Sequence, residues 1–203
     1  DHPELLDSLG GEGSLVESAL LQQASGLKTS PGVMALAPVP RALTIDQLNL
    51  EGAPLLLVVA GVADPGNLGA LARSAEAAGV RALILLAGGT SPWNAKALRG
   101  SMGSLLRLPV VIAEDALQVG RELGDRGIRQ AVAATRGGEA PASFDWKGPI
   151  ALWVGSETGT LPDSGRGLEP LTIPMSGEVE SLNVTVAASL LLFAAGREGS
   201  KAP

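Results

Sequence analysis

Leu55-Leu56-Leu57-Val58-Val59-Ala60-Gly61-Val62 runs through Ala63 into Asp64-Pro65-Gly66-Asn67-Leu68-Gly69-Ala70-Leu71-Ala72-Arg73-Ser74. The unbroken apolar run suits a strand covered on both faces, since a half-buried strand alternates with polar residues. Pro65-Gly66 makes a sharp exit from it, and Asn67–Ala78 has a helical pattern closed by Gly79. A doubly covered strand followed at once by a helix is the first unit of a parallel sheet flanked by helices.

The alternation continues along the chain. Ala82–Leu86 predicts a second strand ended by Gly88-Gly89, and Asn94–Gly103 a helix with Pro92 at its start. Leu108–Ile112, Gln130–Ala134 and Ile150–Val154 read as strands, and Asp115–Leu123 as a helix. Leu171–Ile173 is short and extended, and Ser181–Ala195 is a strongly apolar last helix. The expected class is α/β, a mostly parallel sheet with helices on both faces. Residues 1–50 read as a flanking arm, with weak helical periodicity around Val16–Gln23 and Gly/Pro punctuation from Gly26 to Pro40. The main domain is expected over 51–198, followed by a loose tail, 199–203.

Composition narrows the chemistry. The 203 residues are 45% hydrophobic, enough for a sizeable core, with Phe144, Phe193, Trp93, Trp146 and Trp153 as the only aromatics. Cysteine is absent and His2 is the single histidine. That inventory excludes disulfides, thiolate nucleophiles, a Ser-His-Asp triad and a histidine or thiolate metal site. Asp64, Asp115 and Asp163 are too dispersed for a metal cluster, so no metal is expected. No apolar stretch approaches the roughly 20 residues of a membrane helix, and Asp1-His2-Pro3-Glu4 is unlike a signal peptide. The expectation is a cytoplasmic protein without membrane contact. The chain begins without Met, which predicts further residues upstream. Net charge is −6, yet Ala77 to Ala113 holds no acidic residue and carries Arg81, Lys96, Arg99 and Arg107. This segment is expected to form a local basic face.

Three polar loops follow three apolar runs. Ligands of open α/β sheets bind beyond the carboxyl ends of strands, so the loops are expected to share one site. The first carries Asn67, a good helix cap, and Arg73. Small and apolar neighbours around Arg73 predict a buried or pocket-facing guanidinium. The second, Val154-Gly155-Ser156-Glu157-Thr158-Gly159, carries Glu157. The third runs from Ile173-Pro174-Met175-Ser176-Gly177 to Ser181-Leu182-Asn183-Val184-Thr185. Ser181 is the expected cap of the last helix, and Asn183 is either structural or a site group, because a buried amide must find partners. None of the loops is a Walker phosphate cradle or the three-glycine dinucleotide fingerprint, which disfavours an ordinary Rossmann-type nucleotide enzyme.

Together the three stretches resemble the motifs of the SpoU (TrmH-like) family of RNA 2′-O-ribose methyltransferases, in the SPOUT superfamily. Order and spacing agree from about Leu55 to Ala195. Ala97-Leu98-Arg99-Gly100-Ser101-Met102-Gly103-Ser104 resembles the family's middle segment, and Gly26 to Leu36 the join after its amino-terminal RNA-binding domain. Ser74 and Thr185 exchange one hydroxyl residue for another, and Thr158 stands where glycine is frequent. The resemblance implies a carboxyl-terminal deep trefoil knot, S-adenosylmethionine as cofactor, an rRNA or tRNA substrate and a homodimer. The arm 1–50 becomes a remnant of the RNA-binding domain. The same likeness implies that Thr135, Gly155, Ile173, Met175 and Leu182 hold the cofactor, largely through backbone groups. Arg73 becomes the main catalytic residue, stabilising a developing alkoxide. Asn67, Glu157 and Asn183 form a hydrogen-bonded frame around it, and Arg81, Lys96, Arg99 and Arg107 track the RNA backbone. The alternative is a catalytically silent RNA-binding or assembly factor on the same scaffold.

Overall fold

The computed structural model describes residues 13–155 and 167–199, with side chains as far as Gly196. The chain divides into two units, Asp1–Pro40 and Arg41–Pro203. In the first, helix α1 (Ser18–Ser25) ends at Gly26, whose left-handed φ of 62° lets its N–H reach the Gln23 carbonyl. None of its residues is buried.

The second unit holds a six-stranded sheet: β1 (Leu55–Val59), β2 (Ala82–Leu86), β3 (Val110–Ala113), β4 (Arg129–Ala133), β5 (Ile150–Val154) and β6 (Glu169–Leu171). The spatial order is β3-β2-β1-β5-β4-β6, and every pair is parallel. The helices are α2 (Pro65–Ala77), α3 (Ala95–Gly100), α4 (Ser104–Arg107), α5 (Ala116–Asp125) and α6 (Val184–Gly199). β2 and β5 have the expected bounds and are buried along their whole length.

Strand alternation sends one set of side chains to each face. Leu57, Val59, Leu83, Leu85, Leu152 and Val154 meet Leu71, Ala72 and Ala75 of α2 and Ala188, Leu191 and Leu192 of α6. Leu56, Val58, Ile84, Ala151 and Trp153 meet Val119 and Leu123 of α5 on the other face. Small residues allow α2 and α3 to touch by backbone. A Cβ on Gly69 would stand 2.5 Å from the Ala97 carbonyl oxygen and 2.9 Å from the Gly100 carbonyl carbon.

Four local expectations are corrected. The arm does not extend to residue 50: Leu43 bridges to Val111 beside β3, and Ile45 is 5% exposed in the second core. The helix expected over Asn94–Gly103 stops at Gly100 and a separate short helix starts at Ser104, because Met102 and Gly103 between them take positive φ values of 50° and 90°, which no α-helix can continue through. The first α2 cap is Asp64, whose Oδ1 accepts the Asn67 N–H at 2.9 Å. The α6 cap is Asn183, not Ser181: its Oδ1 accepts from Thr185 N–H at 2.9 Å and Val186 N–H at 3.4 Å. Among the described residues no helix is long and apolar enough to cross a membrane, and no group of three His, Asp or Glu could hold a metal ion.

Candidate active site

A cavity of about 370 Å³ opens beyond the carboxyl ends of β4, β5 and β6 and beside the first turns of α6. Thr135 enters its wall from β4, Gly155 from β5, Ile173 and Met175 from the segment after β6, and Leu182 from the approach to α6. All five residues expected around one ligand thus line one cavity. Leu171, Ala187 and Leu191 supply apolar wall, and Asn183 supplies an amide. Among the described residues the N–H groups of Thr135, Gly155, Ile173 and Leu182 make no backbone hydrogen bond. Four residues whose N–H groups lack a backbone partner among the described residues thus line a largely apolar cavity of small-molecule size.

The wall below Thr135 is braced by β6. Ala134 N–H donates to Leu171 O at 2.8 Å, Glu139 N–H to Pro170 O at 2.8 Å, Thr172 N–H to Glu139 O at 2.9 Å and Gly138 N–H to Thr172 Oγ1 at 2.9 Å. Gly138 permits that contact, since a Cβ there would meet Pro170 O at 2.5 Å.

The two asparagines meet across the sheet's helical layer. Asn183 Nδ2 donates to Asn67 Oδ1 at 3.3 Å, and Thr185 Oγ1 donates to the Asn67 carbonyl at 3.2 Å. Asn183 therefore caps α6, lines the cavity and bonds Asn67 with one amide group. The stitching continues up α2, where Ser189 and Ser74 share a hydrogen bond of 2.8 Å. Thr185 and Ser74 are the two hydroxyl positions noted above, and both hydroxyls bind α6 to α2. Sequence reasoning gave them no role, although hydroxyls spaced along two facing helices were a readable signal.

Arg73 corrects an expectation. It is exposed on α2, about 9 Å along the helix axis from Asn67. It does not line the cavity of its own chain, and among the described residues nothing pairs with it. The apolar neighbours Leu71, Ala72 and Ala75 face the core, which leaves the guanidinium on the other side. Glu157 lies outside the described residues.

The basic segment is also less basic than its local count. Lys96 Nζ donates to Asp64 Oδ2 at 2.8 Å, which holds the Asp64 carboxyl below its ordinary value. Arg107 forms a two-pronged pair with Glu76 at 2.6 and 2.7 Å, and this holds the Glu76 carboxyl down at about 2. Their partners lie 32 and 31 residues away, where no window of sequence would find them. Arg81 precedes β2 and Arg107 precedes β3, so both stand at the amino edge of the sheet. A five-residue strand, about 16 Å, separates that edge from the cavity's edge. Arg99 on α3 is exposed and unpaired among the described residues.

The model of the SpoU rRNA Methylase family matches residues 54–193. The chain belongs to that family. As a SpoU methylase it is an RNA 2′-O-methyltransferase by class. It is 37% identical over 195 residues to the 23S rRNA (guanosine-2′-O-)-methyltransferase RlmB of Ralstonia nicotianae, covering 90% of this chain and 76% of the relative. The corresponding enzyme of Xanthomonas axonopodis pv. citri is 40% identical over the same shares of each chain. Among solved structures, an RNA 2′-O ribose methyltransferase superposes with a TM-score of 0.78 at 31% identity, covering 91% of this chain and 71% of that one. The SpoU methyltransferase AviRb of Streptomyces viridochromogenes, in complex with AdoMet, gives a TM-score of 0.72 at 30% identity, covering 78% and 66%. The SpoU match spans β1 through most of α6, and therefore every element that builds the cavity.

Proposed function

We propose that this chain transfers a methyl group from S-adenosylmethionine to the ribose 2′-OH of a guanosine in 23S ribosomal RNA, in the cytoplasm and as a homodimer. The observation that carries the reading is the convergence of residues after β4, β5 and β6 on one cavity, their N–H groups without a backbone partner among the described residues. RlmB relatives at 37–40% identity support the choice of ribosomal RNA.

The residues present fit the cofactor. The cavity volume of about 370 Å³ lies in the range of small-molecule sites. Leu171, Ile173 and Leu191 offer surface to a flat base, and the N–H groups of Thr135, Gly155, Ile173 and Leu182 offer donors to its polar edges. When bound, S-adenosylmethionine supplies an electrophilic methyl on sulfur. The protein's part is to hold a weak hydroxyl nucleophile in line and to stabilise charge as its proton leaves. Arginine is permanently charged, so Arg73 serves by electrostatic stabilisation of the alkoxide and not as a base. The Asn67–Asn183 pair fixes the amides beside the cavity mouth. Glu157 completes the frame in this reading.

A homodimer explains why Arg73 is exposed. Val186, Leu190 and Phe193 of α6 are 48%, 50% and 48% exposed and share one helix face by their i, i+4, i+7 spacing. An apolar stripe of that kind is characteristic of an interface. It lies on the helix stitched to α2 beside Arg73, so a second copy packed there can receive the guanidinium. The carboxyl-terminal region is read as a deep trefoil knot, a reading supported by the laying of β6 against the earlier 134–139 connection.

The test is transfer of radiolabelled methyl to an unmodified 23S rRNA transcript, followed by mapping of alkali-resistant positions. One modified guanosine is expected. RNA binding without transfer would replace the enzyme by a silent assembly factor.

A further inference from the structure

Arg136 directly follows cavity-lining Thr135 on the connection after β4. It is exposed, does not line the cavity, and has no hydrogen bond or ion pair among the described residues. The loop that carries it is held at both ends by hydrogen bonds to β6 and its extension: Ala134 N–H to Leu171 O, Gly138 N–H to the Thr172 hydroxyl, Glu139 N–H to Pro170 O, and Thr172 N–H to Glu139 O. Gly137 with φ 77° turns the chain between these anchors. A guanidinium with no partner among the described residues is thus mounted on an anchored loop at the rim of the cavity.

Its position selects the ligand. A molecule enclosed by the cavity is walled by Thr135, not by Arg136, which leaves the exposed guanidinium for a ligand outside the cavity. The chain carries a net charge of −6, which repels a polyanion except where local cations override it. Of the basic segment, Lys96 and Arg107 are already in ion pairs, Arg81 lies at the far edge of the sheet, and Arg99 stands on α3, which contributes nothing to the cavity wall. Arginine's planar fork matches two phosphate oxygens at once, and an anchored loop loses little freedom on binding.

We propose that Arg136 is an RNA-positioning residue that grips a backbone phosphodiester next to the target ribose and so seats the 2′-OH over the cavity. This rests on the methyltransferase reading above. The test uses the full chain, the R136A and R136K variants, and an unmodified 23S rRNA transcript. RNA affinity is measured by filter binding across a potassium chloride series, and S-adenosylmethionine affinity by calorimetry. R136A is expected to weaken RNA binding about three- to tenfold and to reduce the slope of log affinity against log salt by about 1, the loss of one phosphate contact. R136K should recover most of both, and cofactor affinity should be equal in all three proteins. Unchanged RNA affinity and slope in R136A would overturn the proposal. So would a loss of cofactor affinity, which would assign the guanidinium to the cofactor's carboxylate. Methyl transfer by the wild type is scored separately: if it is absent while the R136A slope falls, the enzymatic reading fails and the phosphate contact stands.

Discussion

Asn183 performs two jobs with the two ends of one amide, and substitution can separate them. Its Oδ1 caps α6 through the Thr185 and Val186 N–H groups, and its Nδ2 donates to Asn67 Oδ1 at 3.3 Å. Asn183→Ala removes both. Loss of a cap costs about 1 kcal/mol, and loss of one exposed hydrogen bond about 0.5 kcal/mol. The sum of about 1.5 kcal/mol corresponds to a fall in Tm of about 3–6 °C for a chain of this size. Asn183→Asp keeps the capping oxygen and places a negative charge at a helix amino terminus, which is favourable. It should therefore remain within about 0.5 kcal/mol of the wild type in urea unfolding. The new carboxylate, however, turns an acceptor toward Asn67 Oδ1. The two oxygens repel unless the Asn67 amide turns over, and either result displaces the pair beside the cavity. Methyl transfer should drop at least about tenfold, or 1.4 kcal/mol, in a variant of undiminished stability. Full activity in Asn183→Asp would refute the claim that the asparagine pair frames the site. A destabilised Asn183→Asp would refute the assignment of the cap.

Gly69→Ala inserts a Cβ 2.5 Å from the Ala97 carbonyl oxygen, so α2 and α3 must separate. A loss of about 1–3 kcal/mol in urea unfolding is expected, and a neutral result would mean that the two helices are not in backbone contact. Glu76 is held at about 2, below its ordinary 4.5, by Arg107. The pair's contribution is complete above 4.5 and is lost as pH falls through about 2. Wild-type stability should accordingly decline more steeply than that of Glu76→Gln between those values in acid titrations of unfolding. Parallel curves would show that the surface pair contributes nothing. Arg73→Ala should keep cofactor affinity in calorimetry and lose roughly 10²-fold or more in methyl transfer. Mixing it with the impaired Asn183→Asp should raise activity above the sum of the two variants alone if Arg73 serves the partner's cavity, whereas no gain over that sum would be seen if each chain completes its own site. Leu190→Glu on the exposed α6 stripe should shift the protein to monomer in analytical ultracentrifugation, and an unchanged mass would remove that face from the interface.

The architecture was legible because its signals are local. Unbroken apolar runs such as Leu55–Val59 and Ile150–Val154 can be satisfied only by cover on both faces, and helices between them impose parallel strands. Thr135, Gly155, Ile173, Met175 and Leu182 were legible as a set only through the resemblance to the SpoU motifs; the fold supplies the reason they meet, since parallel strands deliver all their carboxyl ends to one edge. Which residue does what at that edge was decided by tertiary structure. Asp64 and Asn183 took the caps because the helix starts shifted by two or three residues from the polar pattern, and boundaries depend on packing as well as composition. Arg73 faces outward because α2 turns its alanines toward the sheet, a matter of helix phase. Lys96 and Arg107 lost their free charge to acids more than thirty residues away, brought near only when α2 docked against α3 and α4. Periodicity and turn chemistry are properties of neighbours in sequence; charge pairing and the joining of Asn67 to Asn183 are properties of neighbours in space, created when the helices dock.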